Sequence, residues 1–379
     1  MDETALVSSL DLVAQARNHI NFLRNLHING ITFSKPSHES FRRYTDLWLP
    51  FVKKYSINSE TPHDLIPPPD IAWLWHCHRL APYRYAKYVE KRFFSTNDDQ
   101  VINEESDNKN TIKILDASPP FTFQMEDNST NSTFSESTHG KICKLTIELY
   151  HELYPNESFF LDSKSNQVVL GPGSRKTKLD GFDVVESCDR QASFLWQVSG
   201  PNFSNDTFLS QGVDNYTKFV RLMAKRDRPQ FLVPTYQIDL MWHTHMLSSI
   251  ELYHTDIMNA TGKILEHDDS LNDRTEGGTL DNNFQATRKL WSDVYGVEYK
   301  VAGGMYRGEP PVDFFKADWP EKMLRGGASG QPNMDDGLGY ALAHLIGQVE
   351  HPLTGDLFGD PLTMLTLSSL PTQGARSRA

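Results

Sequence analysis

One four-residue pattern occurs twice in the chain and constrains its fold more than any other feature. The copies are Trp75-His76-Cys77-His78 and Trp242-His243-Thr244-His245, at an offset of 167 residues. Each follows an apolar segment with proline, Leu65–Pro67 in the first copy and Leu232–Pro234 in the second. Matched segments at a fixed offset are typical of an internal repeat, in which similar structural units pack on one another.

The sequence around each copy predicts helices. Apolar residues at helical spacing indicate a helix from Leu6 to Leu26 and another from Glu39 to Tyr55. A third runs from Ile71 to about Glu90, with a kink or a break at Pro82 because proline lacks the N–H that a helix interior needs. Residues 180–260 repeat this order. We therefore expect a mainly α protein of two pseudo-repeated three-helix units, packed about a pseudo-two-fold axis.

The sequence between and after the copies predicts less regular structure. A segment with several apolar residues at Lys141–Leu153, with short strand-like runs at Phe159–Leu161 and Gln167–Leu170, indicates a small β insertion. A helix is expected from Leu280 to Val294. The expected divisions are helical repeat 1 at 1–94, an irregular or β insertion at 95–181, helical repeat 2 at 182–262, a C-terminal extension packed on the core at 263–325, and a partly disordered linker and tail at 326–379.

Helical geometry limits what the histidines can do together. Successive residues turn by about 100°, so the two imidazoles of His-x-His point about 200° apart. Either the motif is locally non-helical, or each helix supplies one histidine to a shared centre while the other packs elsewhere. In the second case, His76 would meet His243, or His78 would meet His245.

The second copy offers further ligands for a metal ion. Asp239 lies four residues before His243, and His254 lies 11 residues after it, so both are expected on its face of the helix. Ala72 and Lys87 stand at these positions in the first copy, which predicts an asymmetric site. Histidines with a carboxylate suit zinc or non-haem iron. The candidate metal ligands are His76, His78, Asp239, His243, His245 and His254.

Two function classes follow from these residues. In one, the chain is an enzyme that acts on a small organic substrate between the repeats, with a divalent metal or with histidine as general acid or base. The charged run Glu266–Asp269 would then be a loop that closes on the histidine centre, with Arg274 binding an anionic group, although such a run is also typical of a solvated turn. The candidate catalytic residues are His76, His78, His243, His245 and Arg274. In the other class, the chain is a non-catalytic helical interaction module whose histidines are structural.

Composition and the N-terminal residues bear on the partners and the cellular location of the protein. A net charge of −12 argues against a broad nucleic-acid surface, which needs Lys and Arg against phosphates. Three scattered cysteines do not make a disulfide framework. The acidic N-terminus is unlike a signal peptide, and no apolar run approaches a membrane span. We expect a soluble cytoplasmic protein with a small-molecule substrate and no membrane or nucleic-acid partner; the oligomeric state stays open.

Several segments resemble the eukaryotic glycine-rich domain-containing protein-like family. They are Asp70–Leu80, Arg190–Phe194, Val233–His245, Leu265–Asp269 and Ala302–Gly308. In that family the shared region is a domain of unknown function, and the resemblance implies for plant members an RNA-binding segment and a glycine-rich tail. This chain has 23 glycines and no segment that resembles an RNA-recognition motif. The resemblance therefore implies a shared fold more than a shared activity.

Overall fold

The structure is a computed structural model, and helices dominate it. It describes residues 10–31, 35–57, 63–94, 117–126, 137–162, 177–225, 231–262, 265, 267 and 278–302. The expected linker and tail at 326–379, the strand-like run at 167–170 and Arg274 lie outside these residues. The division of the chain into five segments stays a prediction.

The described residues up to Phe93 form seven helical segments. They are α1 (Leu12–Ile28), α2 (His38–Arg42), π1 (Arg43–Trp48), α3 (Leu49–Val52), π2 (Lys53–Ile57), α4 (Pro69–Arg79) and α5 (Pro82–Phe93). The four segments from α2 to π2 follow one another without a gap where one helix was predicted. Pro50 lies at their centre, and because it cannot donate to the preceding turn, the wider π turns accommodate it. The predicted break at Pro82 is confirmed, since α4 and α5 are separate helices.

The remaining regular elements of the described chain are helices, one 3-10 turn and one short hairpin. Its elements are α6 (Thr138–Leu153), β1 (Lys178–Leu179), β2 (Phe182–Asp183), α7 (Val184–Gln197), a 3-10 turn (Pro201–Ser204), α8 (Asp206–Ala224), α9 (Tyr236–Ser248), α10 (Ile250–Thr261) and α11 (Thr279–Tyr295). The strands pair antiparallel, with Lys178 opposite Asp183. The prediction of a mainly α fold with a small sheet between the two motifs is confirmed.

The predicted strand at 141–153 is wrong, because α6 forms there. Ser137 caps this helix by accepting a hydrogen bond from the N–H of Gly140. Its buried residues Cys143, Thr146 and Tyr150 lie three and four positions apart, which is the helical period. The run at 159–161 forms no strand either. The sheet lies instead at 178–183, where Gly181 adopts φ +87° in the turn.

The first helix of each half packs on the histidine-bearing helix of the other half. Helix α1 packs against α9 as well as α8, and α7 packs against α4. At the first interface Nδ1 of His19 lies 3.0 Å from the Thr244 hydroxyl. At the second the Ser187 hydroxyl donates to the carbonyl of Cys77 at 3.2 Å. Cys77 and Thr244 hold the same place in the two motifs, so this exchange brings α4 and α9 together at the centre of the core.

Matched positions in the two halves make matched buried hydrogen bonds. The indole of Trp75 donates to the hydroxyl of Tyr85 at 2.7 Å, and that of Trp242 donates to Tyr253 at 2.9 Å. Both tryptophans begin the histidine motif, and both tyrosines lie in the following helix. These contacts agree with a duplication, while the arrangement as two units about a pseudo-two-fold axis stays a prediction.

A further matched contact involves helices that the sequence did not pair. The N–H of Ile66 donates to the Thr146 hydroxyl of α6 at 3.2 Å, and the N–H of Val233 donates to the Thr287 hydroxyl of α11 at 3.0 Å. Ile66 and Val233 lie 167 residues apart, the offset of the motifs. Each proline-bearing segment is thus held by a helix that follows its histidine helices.

None of the helices in the described ranges has the length and apolar character needed to cross a membrane. The cytoplasmic location stays a prediction.

Candidate functional site

Three polar side chains of the second half converge at the start of α9. Thr235 caps this helix by accepting from the N–H of Ile238, which places Asp239 and His243 on adjacent turns of one face. Nε2 of His243 lies 3.4 Å from Oδ1 of Asp239 and 3.0 Å from Nε2 of His267, and the His267 nitrogen lies 3.7 Å from the same carboxylate oxygen. Among the described residues, this is the one group of three or more His, Cys, Asp or Glu arranged to hold a metal ion.

His267 is oriented by the end of the first histidine helix. Its Nδ1 lies 2.9 Å from the carbonyl oxygen of Leu80, the residue that follows α4. Since a carbonyl oxygen only accepts, Nδ1 carries the hydrogen, and the neutral ring has its lone pair on Nε2, toward Asp239 and His243. The ring stands edge-on to that of His243, with 4.6 Å between centroids and 88° between planes. The first half of the chain therefore orients His267, which faces Asp239 and His243 in the second half.

The segment before His267 is also held. The hydroxyl of Tyr253 in α10 accepts from Trp242 and donates to the carbonyl of Leu265 at 3.0 Å. The Trp242 ring in turn packs edge-on against His267, with centroids 5.1 Å apart. The tryptophan of the second motif thus positions His267 by a direct ring contact and through Tyr253.

Burial keeps His243 neutral. Desolvation is the main cause that lowers its pKa well below the ordinary value; Asp239 opposes the shift, and the nearby His267, His19 and His76 add to it. Its Nδ1 is buried and has no hydrogen-bond partner among the described residues. A neutral imidazole has a free lone pair, which is the form that binds metal ions.

Two more imidazoles lie beside this group. The rings of His19 in α1 and His76 in α4 are 5.2 Å apart, and Nε2 of each is buried without a hydrogen-bond partner among the described residues. Burial, aided by Arg79, lowers the pKa of His76 to about 3, and burial lowers that of His19 as well. His76 stands where the second motif has His243, so one histidine from each copy faces this part of the core.

A small cavity adjoins His76. It has a volume of about 30 Å³, enough for one water molecule, and Ala72, Arg79 and Phe121 also line it. Ala72 occupies the place that Asp239 has in the second copy. The absence of a carboxylate at this position makes the two copies chemically unequal, as the sequence predicts.

The second histidine of each motif lies in a separate aromatic environment. Nδ1 of His78 is 2.8 Å from the hydroxyl of Tyr44, and Nδ1 of His245 is 3.1 Å from that of Tyr216. Nε2 of His245 also lies 3.2 Å from Oδ2 of Asp256. Burial lowers the pKa to about 3 for His78 and about 4 for His245. The His78 ring also stacks on Phe182 of β2, with centroids 5.5 Å apart. These contacts place both histidines outside the three-residue group.

His254 is not part of the three-residue group. The sequence argument placed it three helical turns after His243, but Ser249 is extended (φ −163°, ψ 121°) and separates α9 from α10. The helical phase does not continue across that break, and the His254 ring packs 5.9 Å from Tyr253.

Sequence reasoning missed His267, His19 and Asp256 as members of these sites. His267 lies in the acidic run 266–269, and the family resemblance of 265–269 was the signal that could have drawn attention to it. His19 is a single histidine in an amphipathic helix, a pattern typical of core packing. Asp256 contacts His245 only because α10 folds back on α9.

The fold and site define a class of protein: a mainly helical protein with duplicated Trp-His-x-His motifs and a partly buried group of two histidines and one aspartate. The sequence profile described as "Glycine-rich domain-containing protein-like" matches residues 124–256. Glycine-rich domain-containing protein 1 of Arabidopsis thaliana is 34% identical over 324 residues, and glycine-rich domain-containing protein 2 of the same plant is 34% identical over 308 residues. The chain belongs to the glycine-rich domain-containing protein-like family.

The matches cover 83% and 80% of this chain but 35% of each relative, so the chain spans about a third of their length. The profile covers Asp239 and His243, whereas His76 and His267 lie outside it. No solved structure matches the chain.

Proposed function

We propose that the chain is a metal-dependent enzyme that acts on a small organic substrate, with Asp239, His243 and His267 as ligands of one zinc or iron ion. The observation that carries this proposal is the convergence of Oδ1 of Asp239 with Nε2 of His243 and Nε2 of His267, at separations of 3.0 to 3.7 Å. Two histidines and one carboxylate form a ligand set of catalytic zinc and of non-haem iron.

The distances support a shared ion. Ligand atoms about 2.0 to 2.1 Å from a tetrahedral ion lie roughly 3.3 Å from one another, and right-angled ligands lie about 3.0 Å apart. The three observed separations span these values. The hydrogen bond from His267 to Leu80 supplies the outer contact that metal-binding histidines usually make.

Three protein ligands leave a coordination position for a substrate or water molecule, and a bound ion would polarise whichever occupied it. His19 and His76 adjoin His243, and their lowered pKa values suit them to orient a bound molecule as neutral hydrogen-bonding groups better than to carry a proton at neutral pH. The cavity beside His76, about 30 Å³, accommodates only a water-sized molecule there. The expected roles of His78 and His245 are structural.

The alternative is a non-catalytic interaction module. The 3.0 Å separation of His243 and His267 is also the length of a direct N–H···N hydrogen bond, in which His243 would donate to His267. The chain would then be a helical part of a longer protein, as its 35% coverage of each relative allows.

Metal analysis of the full chain separates the two functions. We expect about one zinc or iron per chain when the protein is produced with zinc or, without oxygen, with ferrous iron. His243→Ala should lose the metal, whereas His78→Ala, at a buried histidine of the first motif that lies outside this group, should retain it. A wild-type chain free of stoichiometric metal under both conditions would contradict this proposal and leave the interaction module and a metal-free enzyme with histidine as general acid or base.

Cobalt substitution then tests for an open position. Azide should change the visible spectrum of the cobalt form if a ligand site is free, because a closed site with four protein ligands has no exchangeable position. An unchanged spectrum over a full azide titration would indicate a structural metal and contradict the enzymatic proposal.

A further inference from the structure

A groove between α1 and residues 120–125 is a second feature of the core surface, distinct from the proposed metal ligands. Its volume is about 660 Å³, within the range of ligand-binding clefts. One wall carries Asn18, Asn21, Asn25 and Asn29, and the other includes Phe121 and Phe123. The described residues that line it include no Asp, Glu, Lys or Arg, so the groove suits an uncharged ligand.

Three of the four asparagines lie within α1, and Asn29 ends the helix, where its side chain donates to the carbonyl of Asn25 at 2.8 Å. Asparagine is one of the poorer helix formers, because its amide competes for backbone hydrogen bonds. Elsewhere on its exposed surface α1 carries Arg17 and Arg24. Within the described part of the chain, the side chains of Asn18, Asn21 and Asn25 make no hydrogen bond. Their amides are therefore available to a ligand.

The aromatic wall is built at the cost of backbone strain. Phe121 has φ +58°, a left-handed conformation that residues with a side chain rarely adopt. Its ring stacks on His19 with centroids 4.5 Å apart and also faces Phe22. Such conformations concentrate at ligand sites, where the surrounding structure holds them in place.

The spacing of the amides matches an extended peptide. Asn21, Asn25 and Asn29 lie four residues apart, which is about 6.0 Å along a helix. Alternate residues of an extended chain repeat every 6.6 Å or so and present one N–H and one C=O per residue. The amides of Asn18, Asn21 and Asn25 each offer both a donor and an acceptor for such groups, and the amide oxygen of Asn29 offers a further acceptor. From Asn18 to Asn29 the wall is about 16 Å long, enough for roughly five extended residues.

We propose that this groove binds an uncharged peptide segment in an extended conformation, with the asparagines holding its main chain and Phe121 and Phe123 contacting apolar side chains at alternate positions. Main-chain hydrogen bonds supply affinity and the aromatic contacts supply sequence preference, as in other modes of extended-peptide recognition. This proposal does not depend on a metal ion at Asp239.

Fluorescence anisotropy of the full chain with labelled hexapeptide pools tests it. One pool has Phe, Leu or Val at alternate positions and Ser, Thr or Gln between them; two further pools carry Glu or Lys in place of the polar residues. We expect saturable binding of the uncharged pool, at least tenfold tighter than either charged pool. The double variant Asn21→Ala with Asn25→Ala should weaken that binding at least tenfold.

Alanine favours a helix more than asparagine does, so the double variant should unfold at the same temperature as the wild type or a higher one. Weaker binding would therefore not result from unfolding. The control Arg24→Ala, on the same helix, should bind like the wild type. Failure of the uncharged pool to bind, equal binding by the double variant, or preference for cellohexaose in a parallel titration would each overturn the peptide proposal.

Discussion

The Nδ1 of His267 lies 2.9 Å from the carbonyl oxygen of Leu80, so the last turn of the first histidine helix orients a side chain that faces the second histidine helix. The matched carbonyl of Leu247 accepts from Arg79 at 3.1 Å. The carbonyl near the end of each histidine helix thus accepts a hydrogen bond from a side chain that lies outside that half. The proposed centre therefore depends on both halves being packed together.

The carboxylate of Asp239 should decide metal affinity. Asp239→Asn keeps the size of the side chain but removes the negative charge and one preferred ligand atom. Loss of an outer contact alone costs about 10- to 100-fold in affinity, so loss of this ligand should weaken zinc binding by about 100-fold or more. A competition titration against a chromophoric chelator measures the change.

Asp256→Asn is the matched control, because this carboxylate contacts His245 rather than His243. It should bind zinc within a few-fold of the wild type. Equal zinc affinities for the Asp239 and Asp256 variants and the wild type would remove Asp239 from the ligand set.

Tyr253 should link stability to metal binding. Tyr253→Phe leaves the Trp242 N–H and the Leu265 carbonyl without this partner, and an unsatisfied buried group costs about 1 to 3 kcal/mol. Because Leu265 lies two residues before His267, zinc affinity should fall too. Tyr85→Phe removes the matched bond to Trp75 in the first half and should destabilise the protein while zinc affinity is kept. Urea unfolding and chelator competition on both variants test this, and equal losses of zinc affinity would contradict it.

The sequence predicted the contacts between residues close together in the chain, but not the contacts between distant segments. The i, i+4 pairing of Asp239 with His243 follows from helical periodicity alone, and the structure has it. The place of His267 depends on a segment after α10 that returns to the end of α4, which no local pattern encodes. His254 was misplaced because the helical phase was extended across Ser249, where the backbone is extended.

The strand error at 141–153 has a similar cause. Ile147 and Leu149 alternate with polar residues, but the buried positions of α6 are Cys143, Thr146 and Tyr150. Thr146 is buried because its hydroxyl accepts a hydrogen bond from the N–H of Ile66, and the sequence alone does not identify a threonine as a core residue. Burial of polar residues by tertiary contacts hid the helical period.

Acid should destabilise the protein through His78. Burial lowers its pKa to about 3, whereas the unfolded chain returns it to about 6.5. Between pH 3 and 6.5 the unfolded state binds one proton more than the folded state. The contribution of His78 to the free energy of unfolding is therefore constant above pH 6.5, and it decreases by about 1.4 kcal/mol per pH unit as the pH falls toward 3. His78→Asn cannot titrate there and should lower the pH slope of the unfolding free energy by about one proton.

The exposed His151 of α6 provides the control for this measurement. His151→Asn should leave the slope of the unfolding free energy between pH 6.5 and 4 unchanged. A slope in His78→Asn equal to that of the wild type would show that His78 does not contribute to acid sensitivity.

Breaking the buried ion pair of the first half should lower the free energy of unfolding more than breaking the matched neutral hydrogen bond of the second half. Nε of Arg43 lies 3.1 Å from Oδ2 of Asp70, and both side chains are almost fully buried. At the matched positions Asn215 donates to Gln237 at 3.0 Å. Asp70→Asn leaves the guanidinium charge buried without its carboxylate and should cost about 3 to 5 kcal/mol, whereas Asn215→Ala, which unpairs a neutral amide, should cost about 1 to 3 kcal/mol. Because the charge is the cause, adding Arg43→Met to Asp70→Asn should recover part of the lost stability. Urea unfolding of Asp70→Asn, Arg43→Met and the double variant measures the coupling between the two side chains. A double variant as unstable as the sum of its single changes would show that the two side chains stabilise the fold independently.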